Sequence, residues 1–207
     1  MLGVSLLLVG ILMVTNGILF MSNVKKEKTL DDGTKTTELV PLVVDSPKSI
    51  AFFNVIVGAI LLIGNFIMLA HAPNQLDQGI PNYIIFNNVA AGMIFGVTYL
   101  FIAGNLLFKL DMRPFGWFSV GASIFALVMV GYNVYWLAYL GLMNNYSFLI
   151  LAILWFFWFV LWLTGVLQFI FKIKAMPKIF PWVSIVVGVV SAFIPAIALL
   201  TGGWGLL

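Results

Sequence analysis

The 207-residue chain is 63% hydrophobic and only 8% charged, with a mean hydropathy of +1.13. A soluble domain of this size carries about a quarter charged residues to wet its surface, so the solvent for most of this chain is lipid. The formal charge of +3 does not call for nucleic acid, because the basic residues fall in short loops between apolar runs. The absence of cysteine excludes a disulfide framework, a thiol nucleophile and a thiolate metal site.

About 20 consecutive apolar residues are needed to cross the hydrocarbon core as a helix. Six such runs occur, at 2–22, 50–71, 83–108, 115–142, 148–171 and 179–201, and none contains Lys, Arg, Asp or Glu. The first lacks a basic n-region and a small-residue cleavage site, so it is read as a retained helix and not a signal peptide. The loop at 23–49 is the one soluble insert in an expected single transmembrane channel domain, 1–207. Its polar, Thr-rich runs around Asp31-Asp32-Gly33 read either as a β-hairpin with a left-handed glycine or as a disordered polar insert. The second run ends on the sole histidine, His71, for which a solvated interfacial position is the simplest reading. The later connections are short: 72–82 with Pro73, Asn74 and Pro81, 109–114 as KLDMRP, and 143–147 as MNNYS. Trp117, Trp182 and Trp204 lie near span ends and read as interfacial anchors.

All ten Lys and Arg lie in odd-numbered loops: Lys25, Lys26, Lys28, Lys35 and Lys48, then Lys109 and Arg113, then Lys172, Lys174 and Lys178. By the positive-inside rule these loops face the cytoplasm and both termini face outward. Helices three and six share Gly96-Val97 with Phe101-Ile102-Ala103, and Gly188-Val189 with Phe193-Ile194-Pro195, at a constant offset of 92. Val14-Thr15-Asn16 has a looser counterpart in Gly131-Tyr132-Asn133. Two three-helix halves are therefore expected. Three is odd, so their topology is inverted, an arrangement that frames pathways narrowing near the bilayer midplane.

Buried charge marks proton coupling, ion conduction or intramembrane catalysis, and the spans contain none. One peripheral histidine does not supply the acid, base or metal cluster that an enzyme needs. The chain is therefore not expected to be an enzyme, and no metal or cofactor is called for. A pathway for a small neutral solute remains. In helix five, Trp155, Trp158 and Trp162 recur at i, i+3, i+7 with Leu161 beside them, so they share one face mid-span. Taken alone, this stripe reads equally as helix packing or as a pore lining. A narrow aromatic slot accepts the flat face of urea or acetamide and excludes hydrated ions. Asn16, Thr98 and Tyr99 are available for the solute's polar edges, while Asn16, Asn54 and Asn65 are equally good interhelical glue. The alternative function is a non-transporting membrane scaffold or signalling subunit whose tryptophans only pack.

Several stretches carry a family resemblance: Met1 to Gly17, I-F-G-V-T-Y-L-F at 94–101, D-M-R-P-F-G-W at 111–117, V-L-W-L-T at 160–164, and the Pro-Trp to Phe-Ile-Pro-Ala stretch from 181 to 196. In these the chain resembles the AmiS/UreI family, the bacterial urea channels and short-chain amide transporters. The resemblance implies an all-α membrane protein of six transmembrane helices, two inverted three-helix repeats, in a homo-hexameric ring whose protomers each hold a pore. It implies residence in the bacterial cytoplasmic membrane, urea or short amides as permeant, and a link to a cytoplasmic urease or amidase. It places Leu6, Val9, Met13 and Asn16 along the pore, with Phe95, Tyr99, Trp155, Trp158, Leu161 and Trp162 forming two aromatic constrictions. The positions 6, 9, 13, 16 and 95, 99 each follow one helical face. The chain departs from the acid-gated members in having Val187 and Leu149 where they carry a glutamate and an aspartate. Strong acid gating is therefore not expected. The first loop is also longer than the family's.

Overall fold

A computed structural model describes residues 2–21, 23–29, 33, 35–41, 47–76, 82–140 and 146–203. In chain order these form α1 (Leu2–Met21), strands β1 (Asn23–Thr29) and β2 (Lys35–Pro41), α2 (Pro47–Leu76), α3 (Asn82–Phe108), α4 (Arg113–Leu140) and α5 (Tyr146–Phe169). The sixth span is α6 (Met176–Val187), a π segment (Gly188–Phe193) and α7 (Ile194–Leu200). Among the described residues, six helical stretches are long and apolar enough to cross a bilayer, and the molecule is a multi-pass membrane protein.

Helix limits differ from the apolar runs for a physical reason. Loss of hydropathy marks where lipid ends, not where the backbone ends. Thus α2 continues past His71 through Pro73 to Leu76. Two helices stop on lysine: Lys109 after α3 and Lys172 after α5 both adopt φ 53°. After α5 the Ile173 N–H reaches back to Leu167 O at 3.1 Å, and after α3 the Lys109 N–H reaches Asn105 O at 2.8 Å, left-handed helix ends of the kind glycine usually supplies. A cation at that position complements the negative end of the helix dipole.

The π segment is not legible as an interruption of the apolar run. Pro195 follows it and has no N–H to return to the carbonyl one turn back, at Ser191, while its ring crowds that carbonyl. Widening the turn relieves both problems, and Ile194 N–H bonds Val189 O, five residues back. Such local adjustments are how spanning helices tolerate proline.

The spans pack in sequence order, and the sixth returns to the first, closing a ring. Three pairs are intimate: α2 with α3, α4 with α5, and α1 with the sixth span, whereas α1/α2 and α3/α4 touch little. Lipid provides no hydrophobic force between helices, so close approach over small residues has to supply dispersion contact instead. A Cβ on Gly96 would lie 3.2 Å from Gly58 O, and one on Gly188 would lie 3.2 Å from Gly10 O. The reverse distances, Gly58 to Gly96 O and Gly10 to Gly188 O, are both 3.0 Å. The two glycines of the offset-92 pattern are thus used in the same way, each seated on a glycine backbone of a neighbour. Across the loose α1/α2 contact, buried Asn16 and Asn54 exchange a reciprocal amide pair, each bond 2.9 Å. Such a bond inside a membrane contributes roughly 0.6–2 kcal/mol.

Outside the bundle, β1 and β2 pair antiparallel, Asn23 opposite Pro41 and Thr29 opposite Lys35. Gly33 between them has φ +80°, a left-handed conformation that favours glycine. Asp31 and Asp32 of the expected turn lie outside the described residues.

Candidate functional site

Among the described residues, three cavities follow one another in series inside the ring. At the end carrying Lys109, Arg113 and Lys172 is a vestibule of about 270 Å³, bordered by Asn105, Met112, Gln168 and Pro177. A middle cavity of about 40 Å³ follows, with Met13, Asn16, Tyr99, Leu161 and Trp162 in its wall. Beyond it is a cavity of about 20 Å³ against Leu6, Val9, Asn65, Asn88 and Trp158. A site needs roughly 10–15 Å³ per water, so the middle cavity holds on the order of three waters or one flat solute of a few heavy atoms.

The walls between cavities are thin and aromatic. Phe95 alone borders both small cavities. Its ring meets Trp158 edge-on with centroids 5.1 Å apart, Trp162 at 5.6 Å and Tyr99 at 6.3 Å. Phe20, Ile102 and Phe180 divide the middle cavity from the vestibule, with Phe20 and Phe180 edge-to-face at 6.1 Å. These three are not part of the pore set drawn from the sequence. Nothing in their spacing separates them from the many other apolar residues of the spans.

Nine of the ten residues singled out from the sequence border one of these three cavities, and Trp155 borders none of the three. Its ring packs against Phe125 at 5.3 Å and Trp158 at 4.7 Å. Trp158 is held from the far side: its Nε1–H donates to Ser191 Oγ at 2.7 Å, and that hydroxyl donates to Val187 O at 2.6 Å. Ser191 belongs to the π segment and is fully buried. Trp162 Nε1, by contrast, has no hydrogen bond among the described residues. Asn16 borders the middle cavity while tied to Asn54, whose own amide N–H also donates to Ile50 O at 2.9 Å.

Charge is confined to the ends. Asp111 pairs with Arg113 at 2.7 Å, and the hydrogen-bonded guanidinium lowers the pKa of its carboxyl. His71 is exposed, with Nδ1 2.8 Å from Ile67 O. A carbonyl only accepts, so Nδ1 carries the proton in either charge state. Among the described residues no group of three or more His, Cys, Asp or Glu could hold a metal.

A family model described as "AmiS/UreI family transporter" matches residues 38–203. The acid-activated urea channel of Helicobacter pylori is 30% identical, covering 99% of this chain and the whole of the relative. A putative amidate substrates transporter protein of Mycolicibacterium smegmatis is 25% identical over 98% of this chain and 78% of that one. The crystal structure of the urea channel from Helicobacter pylori superposes with a TM-score of 0.66 at 29% identity, covering 99% of each chain.

Proposed function

The chain belongs to the AmiS/UreI family of transporters, and on that premise we propose that it is a passive channel for urea and short-chain amides in the bacterial cytoplasmic membrane. The observation that carries this reading is the file of three cavities separated by single aromatic walls at Phe95 and at Phe20–Phe180. A flat, neutral molecule passes such walls by exchanging water for ring faces, whereas a hydrated ion meets no group that replaces its shell. Leu6, Val9, Met13, Asn16, Phe95, Tyr99, Trp158, Leu161 and Trp162 line the path, and no proton or ion is coupled to transit.

Six copies form a ring in this reading, each with its own path, and the odd loops and the β1/β2 hairpin face the cytoplasm. The channel is not strongly acid-gated. Val187 is buried and apolar, and His71 is exposed and bonded through Nδ1 to Ile67 O of its own helix. A cytoplasmic urease or amidase would consume what enters.

Purified protein in liposomes tests the reading by shrink–swell relaxation in urea and acetamide gradients. Rapid relaxation without current in planar bilayers is expected; substantial ion conductance, or no solute flux, overturns it. Orientation is tested separately with impermeant maleimide. Cysteine at Gly33 should react only in broken or inverted cells, and cysteine at Gln78 or Asn145 only from outside.

A further inference from the structure

Four hydroxyl-bearing residues border the middle cavity, and every hydroxyl has spent its proton. Thr98 donates to Ile94 O at 2.8 Å, Ser119 to Phe115 O at 2.8 Å, Tyr99 to Val9 O at 3.0 Å, and Ser184 to Met13 O at 2.9 Å. The direction of each bond is unambiguous, because a backbone carbonyl only accepts. A hydroxyl offers one proton and two lone pairs, so what these oxygens have left for a solute is acceptor capacity. Two of the bonds reach across helices, from α3 and α6 onto α1, and turning either hydroxyl toward the cavity would break the bundle's own contacts. The wall opposite Ser119 is kept bare by Gly165, where a Cβ would lie 2.9 Å from the Ser119 Oγ.

Donors are scarce by comparison. The Asn54 amide is oriented by its N–H bond to Ile50 O, which fixes Asn16 as the reciprocal partner. Asn16 then has one N–H remaining. Trp162 Nε1–H supplies the other.

We infer that the cavity selects its permeant by the number of N–H donors, with the hydroxyls of Thr98, Ser119, Tyr99 and Ser184 acting as acceptors only. This rests on the channel reading above and sharpens its substrate. A molecule with one carbonyl and several N–H groups meets complementary partners on every edge. An isostere that replaces an NH₂ with a methyl leaves an acceptor dry. Urea therefore transits in preference to acetamide, which also has four heavy atoms in the same planar arrangement but two fewer N–H donors.

Stopped-flow relaxation of proteoliposomes with urea and with acetamide, corrected for the bare bilayer, tests this. The parent protein should pass urea faster than acetamide. Ser184→Ala, Ser119→Ala and Thr98→Val, on three different helices, should each lower the urea-to-acetamide ratio about two- to tenfold, the size of one lost hydrogen bond. Thr98→Ser, which retains the oxygen, should retain the ratio. The ratio does not depend on how much protein inserts, and acetamide flux reports that a variant is assembled. Acetamide passing as fast as urea in the parent, or a ratio unchanged in the assembled variants, overturns the inference while leaving the channel intact. Flux of neither solute in the parent overturns the channel reading itself.

Discussion

Trp155 and Trp162 stand two turns apart on the same face of α5, yet they meet different surroundings. Trp155 is enclosed by Phe125 and Trp158, whereas Trp162 borders the middle cavity beside Phe95 and Phe118. Trp158 lies between, with one edge toward the far cavity and its N–H tied to Ser191. A helical stripe is a direction, not an environment. What each ring does depends on which neighbouring helix recedes from it.

The largest effect should come from the cavity end. Trp162→Ala removes a wall of a space of about 40 Å³ and should shift the flux ratio between urea and a bulkier amide such as butyramide about tenfold. That corresponds to about 1.4 kcal/mol of barrier. Liposome uptake of both solutes measures it, and an unchanged ratio would assign Trp162 to packing as well.

Ser191→Ala probes the middle of the stripe by releasing the Trp158 N–H without touching the ring. Urea flux should change about two- to tenfold, the scale of one buried hydrogen bond. Ser191→Thr, which keeps the hydroxyl, should stay near the parent.

At the packed end, Trp155→Ala should instead appear in stability. Large-to-small changes of this type in buried positions cost about 3–5 kcal/mol. The thermal midpoint of the solubilised protein should therefore fall while the urea-to-butyramide ratio is retained. Phe156, 52% exposed on another face of α5, provides the control: Phe156→Ala should leave flux within about twofold.

Acid should not open or close the path. Neither end of the stripe contains a titratable group. Asp111 has its pKa depressed by Arg113, so its pair forms above the ordinary carboxylate range and is lost only as pH falls below it. That lies outside pH 7.5–5.0. Urea flux over that interval should vary by less than about tenfold. A steep rise abolished by His71→Gln would contradict this.

Much of the fold was legible in the chain, and rather less of the site. The six spans could be read because an apolar run of sufficient length is a one-dimensional property, and Lys109 and Lys172 mark two of the helix ends. Met13, Tyr99 and Trp162 were within reach through helical spacing and family motifs. Phe20, Phe180 and the hydroxyls of Ser119 and Ser184 were not. A serine bonded back to its own helix or across to another looks the same in sequence, and the π segment before Pro195 leaves the hydropathy unchanged.

The sequence by itself thus determined that the chain lives in lipid, how many times it crosses, and that no charge lies in its spans. Only the tertiary structure decided which faces meet. The reason is the solvent. In water a buried face announces itself by being apolar, but in a bilayer the lipid-facing and the protein-facing surfaces are equally apolar. Periodicity then cannot say which side turns inward. The choice rests on close approaches such as Gly58 on Gly96 and Gly10 on Gly188, and on where each hydroxyl proton goes.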